Sequence, residues 1–172
     1  MLDDLRRLVG LLREDVDASR PVETLEAVTA LVGSRRAAGA RIDLRVPADG
    51  RLPGRGPLAQ LVAYRMVQES LANAAAHAPG ARCTVEIDGP HGGPVTVVVR
   101  NGAPTGPDPG RGGGFGLIGM AERAQLVGGD LTYGRTPEGG WEVRLTLPVG
   151  NGVLRDHVDT LRAPTPLPEA PA

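Results

Sequence analysis

Glu69, Asn73 and His77 are a carboxylate, an amide and an imidazole set four residues apart, so on a helix they share one face. That stripe begins apolar, with Leu58, Val62 and Met66 at the same spacing of four. Tyr64, Val67, Leu71, Ala74 and Ala78 make a second apolar stripe, which the pattern places on the opposite side. A helix apolar on two sides is sandwiched between neighbours. The first stripe therefore carries its polar groups into partly buried space over its last two turns. Burying such groups unpaired costs on the order of 1–3 kcal/mol each, so a ligand or a metal accounts for them better than a core does. Carboxylate and amide oxygens one turn apart suit a hard, oxygen-seeking ion such as Mg²⁺, which keeps waters and shares phosphates. The alternative is a helix end that emerges into solvent.

The second chemical feature is the loop Gly102–Gly116, which closes with Gly112-Gly113-Gly114-Phe115-Gly116-Leu117-Ile118-Gly119. Glycines let backbone amides approach a ligand, and a helix start adds a positive dipole end, a combination that suits phosphate. Gly114, Gly116 and Gly119 also fit the dinucleotide fingerprint Gly-x-Gly-x-x-Gly, but that fingerprint follows a strand directly in an early βαβ unit. Here a long loop precedes it, and fewer than sixty residues remain for the rest of such a sheet. A plain glycine linker is the other reading.

Composition narrows the chemistry further. All 19 basic residues are arginine. Without lysine there is no Walker A loop, no Schiff base and no protein-kinase strand lysine. Any phosphate must be held by backbone amides, arginine or a metal. Cys83 is the single cysteine, which excludes an intrachain disulfide framework and a cysteine zinc cluster. A net charge of −1 and four aromatic residues (Tyr64, Phe115, Tyr133, Trp141) argue against a nucleic-acid binder with a base-stacking platform. No apolar run reaches the roughly 18 residues that span a bilayer, and the charged start Met1-Leu2-Asp3-Asp4 is no signal peptide. The expectation is a soluble, cytoplasmic chain without membrane contact.

The elements that must position these groups are legible from periodicity. Leu2, Leu5, Val9, Leu12 and Val16 form an a/d seam that ends at Pro21. Under three heptads is too short to stand alone, so this helix wants a partner helix or its own domain. Residues 22–39 read as a second helix and 58–78 as the longest one. Strands are expected at Arg41–Val46, Cys83–Asp88, Val95–Arg100, Asp130–Tyr133 and Trp141–Leu147, with a helix at Leu117–Val127. Glycine and proline (25 and 16 residues) cluster between these segments as punctuation, and four prolines in the last nine residues mark a disordered tail. The pattern predicts an α/β two-layer sandwich.

Taken together, the motifs resemble those of a known family. Gln68-Glu69-Ser70-Leu71-Ala72-Asn73-Ala74 with His77 resembles the N box of sensor histidine kinases, Val99-Arg100-Asn101-Gly102 their G1 box, and Gly114–Arg123 their G2 box. Leu126-Val127-Gly128-Gly129 and the strand ending at Pro148 complete the likeness. Order and spacing are those of the Bergerat ATP-binding fold, shared with gyrase, MutL and the ninety-kilodalton heat-shock chaperones, in which helices cover one face of a mixed sheet. The wording Gly116-Leu117-Ile118-Gly119-Met120 resembles the subfamily that pairs with LuxR-type response regulators.

The resemblance implies ATP and Mg²⁺ as ligands. Asn73 would coordinate the metal that bridges the phosphates. Glu69 would be the polarising or general-base carboxylate. His77, Asn101, Gly102 and Leu117 would line the nucleotide site, with Asn101 where the family has an aspartate accepting the adenine amino group. Gly112, Gly114 and Gly116 would form the lid over the phosphates. The departures are Asn101 for Asp, Ala103 and Thr105 where glycines are usual, and Ala76 for a basic residue.

The resemblance also implies a division into residues 1–20, the remnant of a second dimerisation-hairpin helix, residues 21–148, the catalytic domain, and residues 149–172, the tail. His77, His91 and His157 all lack the setting of the family's phosphoacceptor. The expected partners are thus a phosphoacceptor histidine domain outside this chain and a cognate response regulator, with homodimerisation where the full hairpin is present. Two other readings share the scaffold: a degenerate regulatory module without kinase activity, and a serine kinase of the anti-sigma-factor type.

Overall fold

A computed structural model describes residues 24–47, 56–90, 93–105 and 115–149. The seam at 1–20, the loop glycines Gly112 and Gly114, His91, His157 and nearly all of the tail lie outside the described residues. The elements run α1 (Ala27–Ala37), β1 (Ile42–Arg45), α2 (Pro57–His77), β2 (Cys83–Asp88), β3 (Val95–Asn101), α3 (Phe115–Leu126), β4 (Asp130–Arg135) and β5 (Trp141–Leu147). The fold is mixed α/β, as the sequence predicts.

The strands form one sheet in the order β1-β2-β3-β5-β4. β1 runs parallel to β2, reached across α2. β2–β3, β3–β5 and β5–β4 are antiparallel. β5 thus returns into the sheet between β3 and β4. Alternation along each strand sends one set of residues to the helices. Val85, Ile87, Val95, Val97, Val99, Leu131, Val143, Leu145 and Leu147 meet Leu25, Val28 and Val32 near and within α1, Val62, Met66, Val67 and Leu71 of α2, and Met120 and Ala124 of α3 in one core.

Pro57 opens α2, where its fixed φ is pre-set and its missing N–H costs nothing. The apolar side of α2 differs from the expectation of two opposed stripes. Ala59, Val62, Ala63, Met66, Val67, Ser70, Leu71 and Ala74 are buried as one continuous arc, while Leu58 is 37% exposed. The reason is that α2 lies on β2, β3 and β5 with α1 and α3 alongside it, so its neighbours wrap half its circumference. Among the described residues no helix is long and apolar enough to cross a membrane.

Candidate functional site

The C-terminal half of α2 and the end of β3 meet at one end of the sheet. Gly102 N–H donates to the Arg82 carbonyl at 2.9 Å, just past the end of α2, and the Thr105 hydroxyl donates to the Pro79 carbonyl at 3.0 Å. The loop after β3 is therefore tied to the segment that leaves α2. Thr105, unusual against the family pattern, makes one of the two ties.

Glu69 and Asn73 sit at the edge of the buried arc and are half-buried. No hydrogen bond or ion pair joins either side chain to the other described residues. His77 departs from the expected shared space: it is the last residue of α2 and exposed, because the arc ends at Ala74 and Ala78. Asn101 ends β3, half-buried, and its Nδ2 donates to the Gly102 carbonyl at 2.9 Å. That orientation leaves Oδ1 as an open acceptor.

α3 closes the third side. It begins at Phe115, so Gly116 lies in its first turn and not in the expected loop. Close approach demands glycine there: an added Cβ would come 2.5 Å from Glu69 Oε1. Leu117 is half-buried and packs on the core. The Glu69 carboxylate thus faces the start of α3, where helix amides and the dipole favour negative charge.

Two neighbours of the site do not stand out as site residues in the sequence. Gly140 is buried against the Asn101 carbonyl, where an added Cβ would collide, and Trp141 is the register partner of Asn101. Only strand register reveals them, and local periodicity does not carry register.

The residues fit a metal of one kind. Among the described residues no cluster of three His, Cys, Asp or Glu could cage an ion. Mg²⁺ needs no such cage, since it binds through one or two protein oxygens together with phosphates and water. Burial pushes the Cys83 thiol above its usual range, which disfavours the thiolate that a nucleophile or ligand needs. A hollow of about 260 Å³, lined by Glu86, Asp88, Thr96, Val98, Arg100 and Arg144, lies across the sheet from these groups. Charges of both signs line it, and it is remote from the candidate chemistry.

The sequence profile of the histidine kinase-, DNA gyrase B- and HSP90-like ATPases matches residues 59–151, more than half of the chain. The chain belongs to this family. This ATPase-family chain is 34% identical over 86 residues to the sensor histidine kinase YxjM of Bacillus subtilis (strain 168), a stretch covering 50% of the chain and 20% of that protein. It is 29% identical over 90 residues to the signal transduction histidine-protein kinase/phosphatase DegS of Brevibacillus brevis, covering 52% of the chain and 23% of that protein. The matched stretches thus span about a fifth of the relatives' own length.

Solved structures agree on the fold. The mycobacterial sensor histidine kinase MprB superposes with a TM-score of 0.50 at 19% identity, over 74% of this chain and 95% of that one. The Erythrobacter litoralis blue-light activated histidine kinase EL346 gives 0.52 at 17% identity, over 73% of this chain and 42% of that one. The five-stranded mixed sheet with its helices is the fold these two histidine kinase structures share.

Proposed function

We propose that the chain binds Mg-ATP at this end of the sheet and donates its γ-phosphoryl group to a histidine carried by another polypeptide segment. The observation that carries the reading is the pairing of Glu69 and Asn73. Both are half-buried, one helical turn apart, and without a partner among the described residues. A fold that buries polar groups normally pairs them.

Asn73 would hold the metal through its side-chain oxygen. Mg²⁺, when bound, neutralises charge on the phosphates. Asn101 would accept a hydrogen bond from the adenine amino group at Oδ1. A neutral amide accepts that bond more weakly than a carboxylate, so the Asn101 departure weakens base recognition without removing it. Gly102, Gly112, Gly114 and Gly116 would bring backbone amides to the phosphates, with Leu117 beneath them and His77 at the solvent rim. The acceptor imidazole nitrogen attacks the γ-phosphorus, the bond to the β-bridging oxygen breaks, and ADP leaves. Glu69 polarises the imidazole or takes its proton. Positioning and electrostatics supply most of the rate in such transfers.

We further propose the division into an N-terminal segment at 1–20, a catalytic domain at 21–148 and a tail at 149–172. The acceptor domain and a LuxR-type response regulator are the proposed partners. Among the described residues Oδ1 of Asn101 and the side-chain oxygens of Glu69 and Asn73 have no partner, which favours a working site over a scaffold that has lost its nucleotide. Incubation of the chain and a histidine acceptor domain with labelled Mg-ATP should give acid-labile label on the acceptor and none on the chain. Glu69→Gln should lower that transfer by roughly 10²–10⁴-fold. Unchanged transfer in this variant would remove Glu69 from the chemistry.

A further inference from the structure

In the proposed site Asn101 reads one edge of the base, and a planar ring also needs its face held. The sheet sets an aromatic ring beside that acceptor. Asn101 and Trp141 are paired across β3 and β5, so their side chains stand next to each other on the helix-covered face. Trp141 is half-buried, packs against the core, and stacks on Tyr133 with centroids 6.1 Å apart and planes 26° from parallel.

The turn leading to Trp141 is fixed. Thr136 N–H donates to the Gly140 carbonyl at 3.0 Å, and Gly140 N–H donates to the Thr136 hydroxyl at 3.1 Å. Gly140 in turn lies against the Asn101 carbonyl. The turn therefore ties the strand that carries the ring to the strand that carries the acceptor. Gly102 and Ala103, which also lie against this turn, offer no π-face.

We infer that Trp141, backed by Tyr133, is the aromatic wall of the base pocket and selects a purine over a pyrimidine by contact with the ring. This rests on the nucleotide reading above. Trp141 is the chain's single tryptophan, so its emission reports on this place alone.

The test combines calorimetry with emission, using ATP, CTP and inorganic tripolyphosphate, each with Mg²⁺. In the wild type, ATP should bind and change the emission. Tripolyphosphate should leave emission unchanged, and CTP should bind more weakly than ATP. Trp141→Leu should weaken ATP roughly tenfold, within the range of base–aromatic stacking, while leaving tripolyphosphate affinity alone. Trp141→Phe should restore most of the ATP affinity. Calorimetric binding of ATP with unchanged emission would overturn the inference and leave the nucleotide reading standing, and so would equal affinity in Trp141→Leu. A cooperatively melting wild type that binds no ATP would remove both. The emission readout needs no variant, so it decides the point even where Trp141→Leu fails to fold.

Discussion

Glu69 and Glu142 are two carboxylates that this domain treats in opposite ways. Glu142 is 6% exposed, on the sheet face away from the helices. It is closed between two guanidinium groups: Arg100 pairs with one oxygen, and Arg144 reaches the other at 3.1 Å. Glu69 is half-buried on the helix side, with no such partner among the described residues, and faces the start of α3. A buried carboxylate that serves structure must be neutralised, since an isolated one costs several kcal/mol. A carboxylate that must meet a ligand or a proton has to stay open. The contrast sets a paired, structural carboxylate apart from one that is open toward the proposed site.

Substitutions at the two positions should therefore give crossed results. The largest effect is the loss of phosphoryl transfer in Glu69→Gln stated above. The same variant should leave unfolding free energy within about 0.5 kcal/mol of the wild type, since Glu69 has no pair among the described residues to break. Glu142→Ala should do the reverse. It should cost on the order of 2–3 kcal/mol in denaturant unfolding, less than a fully buried pair because both guanidinium groups reach solvent. ATP affinity in the folded fraction should change less than about threefold, below the tenfold that 1.4 kcal/mol of lost contact would give. A stability loss in Glu69→Gln equal to that in Glu142→Ala would erase the distinction.

Gly140→Ala sharpens the comparison with a smaller effect. The new methyl meets the Asn101 backbone, so one strand must shift, at about 1–2 kcal/mol by the usual cost of overpacking. Because the shift falls on Asn101, ATP affinity should drop as well, which Glu142→Ala does not produce. Titration of both variants with ATP separates the two.

The elements of the fold were legible in the sequence where a local pattern was enough. The helix expected at 58–78 lies at Pro57–His77, and the turn expected around Pro137–Gly140 joins β4 to β5. What local pattern could not reach was anything decided by distant residues. The insertion of β5 between β3 and β4, the pairing of Glu142 with Arg100, and the place of Trp141 beside Asn101 all depend on register. Opposed stripes on α2 were expected because a helical wheel assumes neighbours on two sides. The sheet and both flanking helices instead wrap one arc. Gly116 reads as loop in the sequence because its glycine-rich surroundings mask where a helix begins. The structure explains that glycine by the Glu69 carboxylate against it. Residue types at helical spacing bring Glu69, Asn73 and His77 together in the sequence, and the structure leaves the first two half-buried and His77 exposed at the end of the helix.

The most direct test of the central claim, that the open groups on α2 form an Mg-ATP site, is thermal unfolding of the wild type and Asn73→Ala with ATP, first with Mg²⁺ and then with a chelator. At a hundredfold excess over its dissociation constant a ligand adds about 2.7 kcal/mol. For a chain of this size that should raise the midpoint by roughly 6–10 °C. That rise is expected in the wild type with Mg²⁺, with its loss on chelation and its absence in Asn73→Ala. A cooperative melt that millimolar Mg-ATP does not move, or an equal rise in Asn73→Ala, would contradict it.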